Sequence, residues 1–301
     1  MLRPFPLLAA VAVFCSAQQT RQVHYQGDLT PLNIAPSFDK GFLAVYETHQ
    51  TVSLYAPDGA LAYKATPHVE GASRLGVENA APDSDGSMVA AVGYGVAKST
   101  RGGLAVFDPT GVQTTFIDTG AEWLPTQACI APDHTIWAIG WRGLPSAAAA
   151  GDYFVLRHFS RDGQLLGGFL PRSSFDQDPV GPVVGGWQLR ANNGHIGGIF
   201  YATSVLRAGE PRRTGQWIEV DPTGAVVRRV DLPLKVIQAF TASGALYAHE
   251  NFGGYLLFDS VTNAFRPTSG LPTYGLLGAD GNSLVFLSGP NSNTLVWQPI
   301  N

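Results

Sequence analysis

Five amide side chains stand at comparable places along this 301-residue chain. Asn33, Asn79, Gln127, Gln188 and Gln238 each precede, by eight or nine residues, an apolar stretch opening at Phe42, Met88, Ile136, Ile196 and Leu246. Tyr274 takes the sixth place, ahead of Leu284. An amide offers two N–H donors and an acceptor, so several directed into one opening hold ordered water or grip a neutral polar ligand such as a sugar. They bring no charge. A hard cation such as calcium is held by carboxylates with supplementary neutral oxygens. Only Glu78, beside Asn79, and Glu122 are placed to add one, which makes them weak metal candidates. The expectation is no cofactor, or at most weakly bound calcium.

A second set suits recognition rather than reaction. Tyr94, Trp141 and Arg142 belong to stretches rich in aromatic and Arg residues; rings supply rigid contact area and guanidinium groups supply directed bonds. With the five amides they form the expected ligand-facing set, suited to a protein or glycan partner. Some rings, Trp123 and Trp187 above all, are expected to pack between structural units instead. Glu47 to His49 and His249-Glu250 could ligate zinc only if three or four groups converged, which spacing does not show. No nucleophile elbow, His-Glu-x-x-His pair or phosphate-cradling Gly loop is present, so no catalytic residue is assigned.

These residues must be positioned by a repeat. Five times a β-rich stretch closes on a turn and resumes: Leu54-Tyr-Ala-Pro-Asp-Gly59, Val106-Phe-Asp-Pro-Thr-Gly111, Phe159-Ser-Arg-Asp-Gly163, Val220-Asp-Pro-Thr-Gly224 and Leu257-Phe-Asp-Ser-Val-Thr-Asn263. The six apolar stretches, the last at Leu284-Val-Phe-Leu287, count six units of a size that holds four short strands. The chain is therefore expected to be all-β, a six-bladed β-propeller of four-stranded antiparallel blades. The last unit ends at Thr294-Leu-Val-Trp297 without room for a fourth strand. Arg21-Gln-Val-His-Tyr25 is expected to supply it, so that the N-terminal strand closes the last blade and leaves no open ring edge. The longest insertions then share one face, with the links between blades.

The repeat Asn193-Gly-His-Ile-Gly-Gly-Ile-Phe200, followed by Ile218-Glu-Val-Asp-Pro-Thr-Gly224, resembles six-bladed propellers of the NHL and SMP-30/gluconolactonase type. In lactonase-like members the resemblance implies a divalent metal at the top of the channel, held by Glu, Asn and Asp from different innermost strands. At those places this chain has Asn33, Asn79, Gln127, Gln188, Gln238 and Tyr274, a departure that weighs against a lactonase-type metal centre.

Composition sets further bounds. Charged residues make up 14 % of the chain, against 35 Gly and 21 Pro, which argues against long helices. A net charge of -4 provides no basic field for nucleic acid or anionic membrane. Arg3, the apolar run Phe5 to Phe14 and the small residues of Cys15-Ser16-Ala17 read as a signal peptide over 1–17, too short to span a membrane. Bulky Phe14 ahead of Cys15 argues against lipidation. The expectation is a secreted or periplasmic protein, monomeric, with one propeller domain over 18–301. Its single remaining cysteine, Cys129, lies in the apolar string Ala128-Cys-Ile-Ala131 and reads as a buried structural thiol. A binding or interaction propeller, with its ligand at the loop face and channel mouth, is the function expected. The alternative is an extracellular lactonase- or lyase-like enzyme with a weak divalent-metal site.

Overall fold

A computed structural model describes residues 20–27, 36–48, 50–141, 152–175, 183–192, 194–203, 213–233, 236–249, 254–272, 275–289 and 292–300. Strand β1 (Arg21–His24) precedes the first blade, which holds β2 (Ser37–Asp39), β3 (Phe42–Thr48), β4 (Thr51–Tyr55) and β5 (Leu61–Ala65). The second holds β6 (Arg74–Pro82), β7 (Met88–Val96), β8 (Ser99–Phe107) and β9 (Gln113–Gly120). The third holds β10 (Leu124–Ile130), β11 (Ile136–Trp141), β12 (Phe154–Phe159) and β13 (Leu165–Pro171). The fourth holds β14 (Val183–Asn192), β15 (His195–Thr203), β16 (Arg213–Val220) and β17 (Val226–Pro233). The fifth holds β18 (Val236–Phe240), β19 (Leu246–His249), β20 (Tyr255–Asp259) and β21 (Ala264–Pro267). The sixth holds β22 (Leu276–Asp280), β23 (Ser283–Leu287) and β24 (Thr294–Pro299).

The expected clasp is present. β1 pairs antiparallel with β24, Val23 opposite Leu295, and completes the sixth blade. The first strands of successive blades touch one another, and β2 meets β22, so β2, β6, β10, β14, β18 and β22 line the centre of a closed ring. The fold is a six-bladed β-propeller, with one short 3-10 turn (Arg172–Ser174) among the described residues.

Second strands are covered on both faces by neighbouring blades, and they read accordingly as near-continuous apolar runs, as in Met88-Val-Ala-Ala-Val92. Burial of each such Val, Leu or Phe contributes about 1.5–3 kcal/mol. The seams between blades hold the large rings: Trp217 packs edge-on against Phe240 of the next blade at 5.2 Å. Within the third blade, Trp137 stacks on His158 at 4.1 Å and on Phe169 at 5.2 Å.

The repeated turns join third and fourth strands, and Asp108 and Asp221 close theirs with their own side chains. Asp108 Oδ1 accepts from the N–H groups of Thr110 and Val112, and Asp221 Oδ1 likewise from Thr223 and Ala225. The turn glycines do more than turn. Gly59 has a positive φ of 89°, and a Cβ there would lie 2.1 Å from the carbonyl oxygen of His24 on β1. Gly224, at φ 84°, leaves only 1.9 Å between such a Cβ and the Phe169 ring of the preceding blade. These turns are seated against the outer strand of the neighbouring blade.

Antiparallel order gives the ring two faces. Turns between first and second strands, and between third and fourth, lie on the hairpin face. Links between second and third strands, and from blade to blade, lie on the loop face.

Candidate functional site

The innermost strands decide what reaches the channel, and five of the six carry a β-bulge. The extra residue is Glu78 in β6, Thr126 in β10, Gln238 in β18 and Leu277 in β22, and it falls within Gln188-Leu189 in β14. A bulge re-aims the side chains around it, so counting along the strand does not yield one inward-facing set. Asn79 is buried, and its carboxamide oxygen accepts the Ala128 N–H of the next blade at 2.9 Å, which makes it a seam residue. Gln127 has a buried Oε1 with no hydrogen-bond partner among the described residues. Gln188 is half-buried with a positive φ of 54°. Asn33, Tyr274, Arg142 and the side chain of Gln238 lie outside the described residues.

On the loop face, Tyr94 is buried and its hydroxyl donates to Asp118 Oδ1 at 2.7 Å, while Arg101 Nε donates to the Tyr94 oxygen at 3.1 Å. Burial, and then the Asp118 bond, push the Tyr94 hydroxyl up from its ordinary value, so it stays a neutral donor. Trp141 ends β11 half-buried. A groove of about 310 Å³ on this face is lined by Glu122, Asp152, Tyr153, Phe154, Arg157 and Pro171. Phe154 is 46 % exposed there, and Arg157 stacks over the fully buried Trp123 at 4.5 Å. Trp123 is thus core, as expected. Glu78 and Glu122 are both exposed.

The ring centre is also open on the opposite, hairpin face. A cavity of about 260 Å³ lies among the ends of the six innermost strands, with Ser37, Asp39, Ile130, Arg190, Phe240 and Asp280 in its walls. Arg190 of β14 reaches across the ring to the first blade. Its Nη2 donates to Pro36 O at 3.1 Å, and its Nη1 donates to Ser37 Oγ at 3.4 Å and to its own Leu189 O at 3.0 Å. No carboxylate lies within ion-pair distance among the described residues, and burial lowers its pKa to about 10. Asp39 is raised to about 6, first by burial and then by repulsion from Asp83 and Asp280. Asn192 is committed to the next seam through its Nδ2–H to Phe240 O at 2.8 Å.

Composition and repeat spacing did not single out Arg190, Asp39 or Asp280. A usable signal existed: each ends, or nearly ends, an innermost strand just before a tight turn, as in Asp39-Lys-Gly41 and Asp280-Gly281.

A further cluster on the hairpin face joins the second and third blades. Asp83, Asp85 and His134 hold their ligand atoms within 4.8 Å of one another, the group among the described residues that has metal-binding dimensions. A cation already occupies it. Arg161 Nη1 lies 3.3 Å from Asp83 Oδ2 and 3.2 Å from Asp85 Oδ2, and its Nη2 donates to Ser87 Oγ. His134 Nδ1 is 2.7 Å from Asp83 Oδ2, and that bond raises the imidazole above its ordinary pKa. Burial would raise the Asp85 carboxyl, but Ser87 and Arg161 hold it below the usual range. Arg161 thus supplies a positive charge to both carboxylates.

No protein-family model matches the chain, and no curated protein matches it. Solved structures similar to it include a luciferin-regenerating enzyme, at 12 % identity over 94 % of this chain and 96 % of that one, with a TM-score of 0.49. BamB from Moraxella catarrhalis is 13 % identical over 92 % and 98 % of the two chains, with a TM-score of 0.42. BBS1N, solved in complex with ARL6DN, is 17 % identical over 86 % and 75 %, with a TM-score of 0.40. Such values add nothing on ligand or activity, and the fold rests on the strand pairing itself. Among the described residues no helix is long and apolar enough to cross a membrane.

Proposed function

We propose that this propeller is a binding or interaction protein, exported by its N-terminal signal sequence, that holds a protein or glycan ligand on its loop face around the third blade. The observation that carries this reading is Phe154: an aromatic ring 46 % exposed in a groove edged by Glu122, Asp152 and Arg157. Exposed rings framed by polar groups are the usual anchor of recognition surfaces. The test is binding to a glycan array and to extracellular proteins, comparing wild type with Phe154→Ser and Trp141→Ala. A partner lost with both loop-face variants but kept by the channel variant Arg190→Met supports the reading; one held equally by all forms overturns it.

A second reading, an enzyme of the lactonase or lyase sort, draws on Asp39. A carboxyl poised near 6 in a cavity is suited to proton transfer at neutral pH. Turnover of lactones by the wild type, abolished in Asp39→Asn, would establish it.

A further inference from the structure

The guanidinium of Arg190 is only partly used. Its terminal edge faces the first blade, where the adjacent acceptors Pro36 O and Ser37 Oγ take one N–H from each Nη, and Leu189 O takes another from Nη1. The lateral edge, formed by Nε–H and the remaining Nη2–H, has no acceptor among the described residues. Two parallel N–H groups on a planar fork match the two oxygens of a carboxylate, which is the strongest use of an arginine in a partly dry site. A surrounded guanidinium with only neutral oxygens for partners also lacks the counter-charge that such a group requires.

The cavity wall contains the opposite charge at a different depth. Arg190 meets the first blade at Pro36 and Ser37, whereas Asp39 stands two residues further along β2, about 7 Å nearer the hairpin face at the rise of a β-strand. Asp280 lines the same mouth; its Oδ2 accepts the Trp297 indole N–H at 3.0 Å, and Oδ1 has no described partner. Lys40 offsets part of this charge from the rim. Ile130, Leu189 and Phe240 make part of the cavity wall apolar.

A simple anion on Arg190 would sit beneath two carboxylates, and a simple cation at the mouth would sit above an unpaired guanidinium. A molecule carrying both charges on a short alkyl spacer meets each with its opposite and places its methylenes against the apolar wall. We propose that the channel cavity binds a small aliphatic zwitterion, its carboxylate on the free edge of Arg190 and its ammonium facing Asp39 and Asp280. The site lies on the opposite face from the loop surface and stands or falls independently of the reading given for that surface.

Titration calorimetry on the whole chain tests this with β-alanine, 4-aminobutyrate, 5-aminovalerate and 6-aminohexanoate, against butyrate and butylamine as single-charge controls. The expected result is one chain length bound at least about tenfold more tightly than either control, and weakened about tenfold or more in both Arg190→Lys and Asp39→Asn. Arg190→Lys retains the charge and removes only the fork, so it serves even if larger changes disturb folding. Phe154→Ser, on the other face, leaves the affinity unchanged. The proposal is overturned if no zwitterion outbinds butyrate and butylamine, or if Arg190→Lys binds as wild type does.

Discussion

Arg190 and Ser37 lie 153 positions apart in sequence, on blades that face each other across the ring, yet the Arg190 Nη1 donates to the Ser37 hydroxyl at 3.4 Å. The bond places a charged group in the wall of the cavity at the centre of the propeller. It also sets up an opposition of energies. Bonds from a charged donor are worth about 1.5–3 kcal/mol each, but a surrounded cation without a counter-ion costs several.

Those two effects nearly cancel in Arg190→Met, whose stability by urea unfolding is expected within about 1 kcal/mol of wild type. A loss above about 3 kcal/mol would make Arg190 a structural strut rather than a ligand group.

Gly59→Ala combines a strained positive φ with a Cβ 2.1 Å from the His24 carbonyl, so the turn must lift away from β1. The expected cost is at least about 2 kcal/mol. Because the strain falls on the clasp, amide exchange should rise first over β1 and β24. Uniform exchange throughout the ring would argue that closure does not depend on this contact.

Asp39 gives a pH signature. Its folded-state pKa of about 6 exceeds its ordinary value of 3.8, so the folded protein holds this proton more tightly than the unfolded chain. The group therefore costs nothing below pH 4, and its penalty grows from pH 4 to 6 and is complete above 6. Asp39→Asn should raise the melting temperature at pH 7.5 and leave it unchanged at pH 4. An equal effect at both pH values would remove titration of Asp39 as the cause.

Arg161→Ala strips the cation from Asp83, whose side chain is 3 % exposed, and is expected to cost about 3 kcal/mol. It also frees the group formed by Asp83, Asp85 and His134. Zinc should then raise the melting temperature of the variant while leaving wild type unmoved. A matching zinc shift in wild type would show that Arg161 does not block the group.

Cys129 is buried, and burial pushes its thiol up to about 12. Alkylation by iodoacetamide at pH 8 should therefore be undetectable in the folded protein and rapid in urea. Fast labelling without denaturant would mean that the seam between the third and fourth blades opens.

The number of blades, their strand order and the clasp between β1 and β24 were legible in the sequence, because each depends on local regularities. The turn at Asp108-Pro-Thr-Gly111, the apolar second strand at Met88 and the missing fourth strand after Trp297 are all repeats at short range. The site was not legible in the same way. A bulge at Glu78 or Thr126 leaves no mark in the alternation, yet it sends Asn79 into a seam and to the Ala128 N–H. The meeting of Arg190 with Pro36, and of Asp39 with Asp280, exists only once the ring has closed and residues far apart in the chain share one axis. Apart from the clasp of β1 on β24, strand pairing joins neighbours in sequence, whereas the electrostatics of the channel joins neighbours in space.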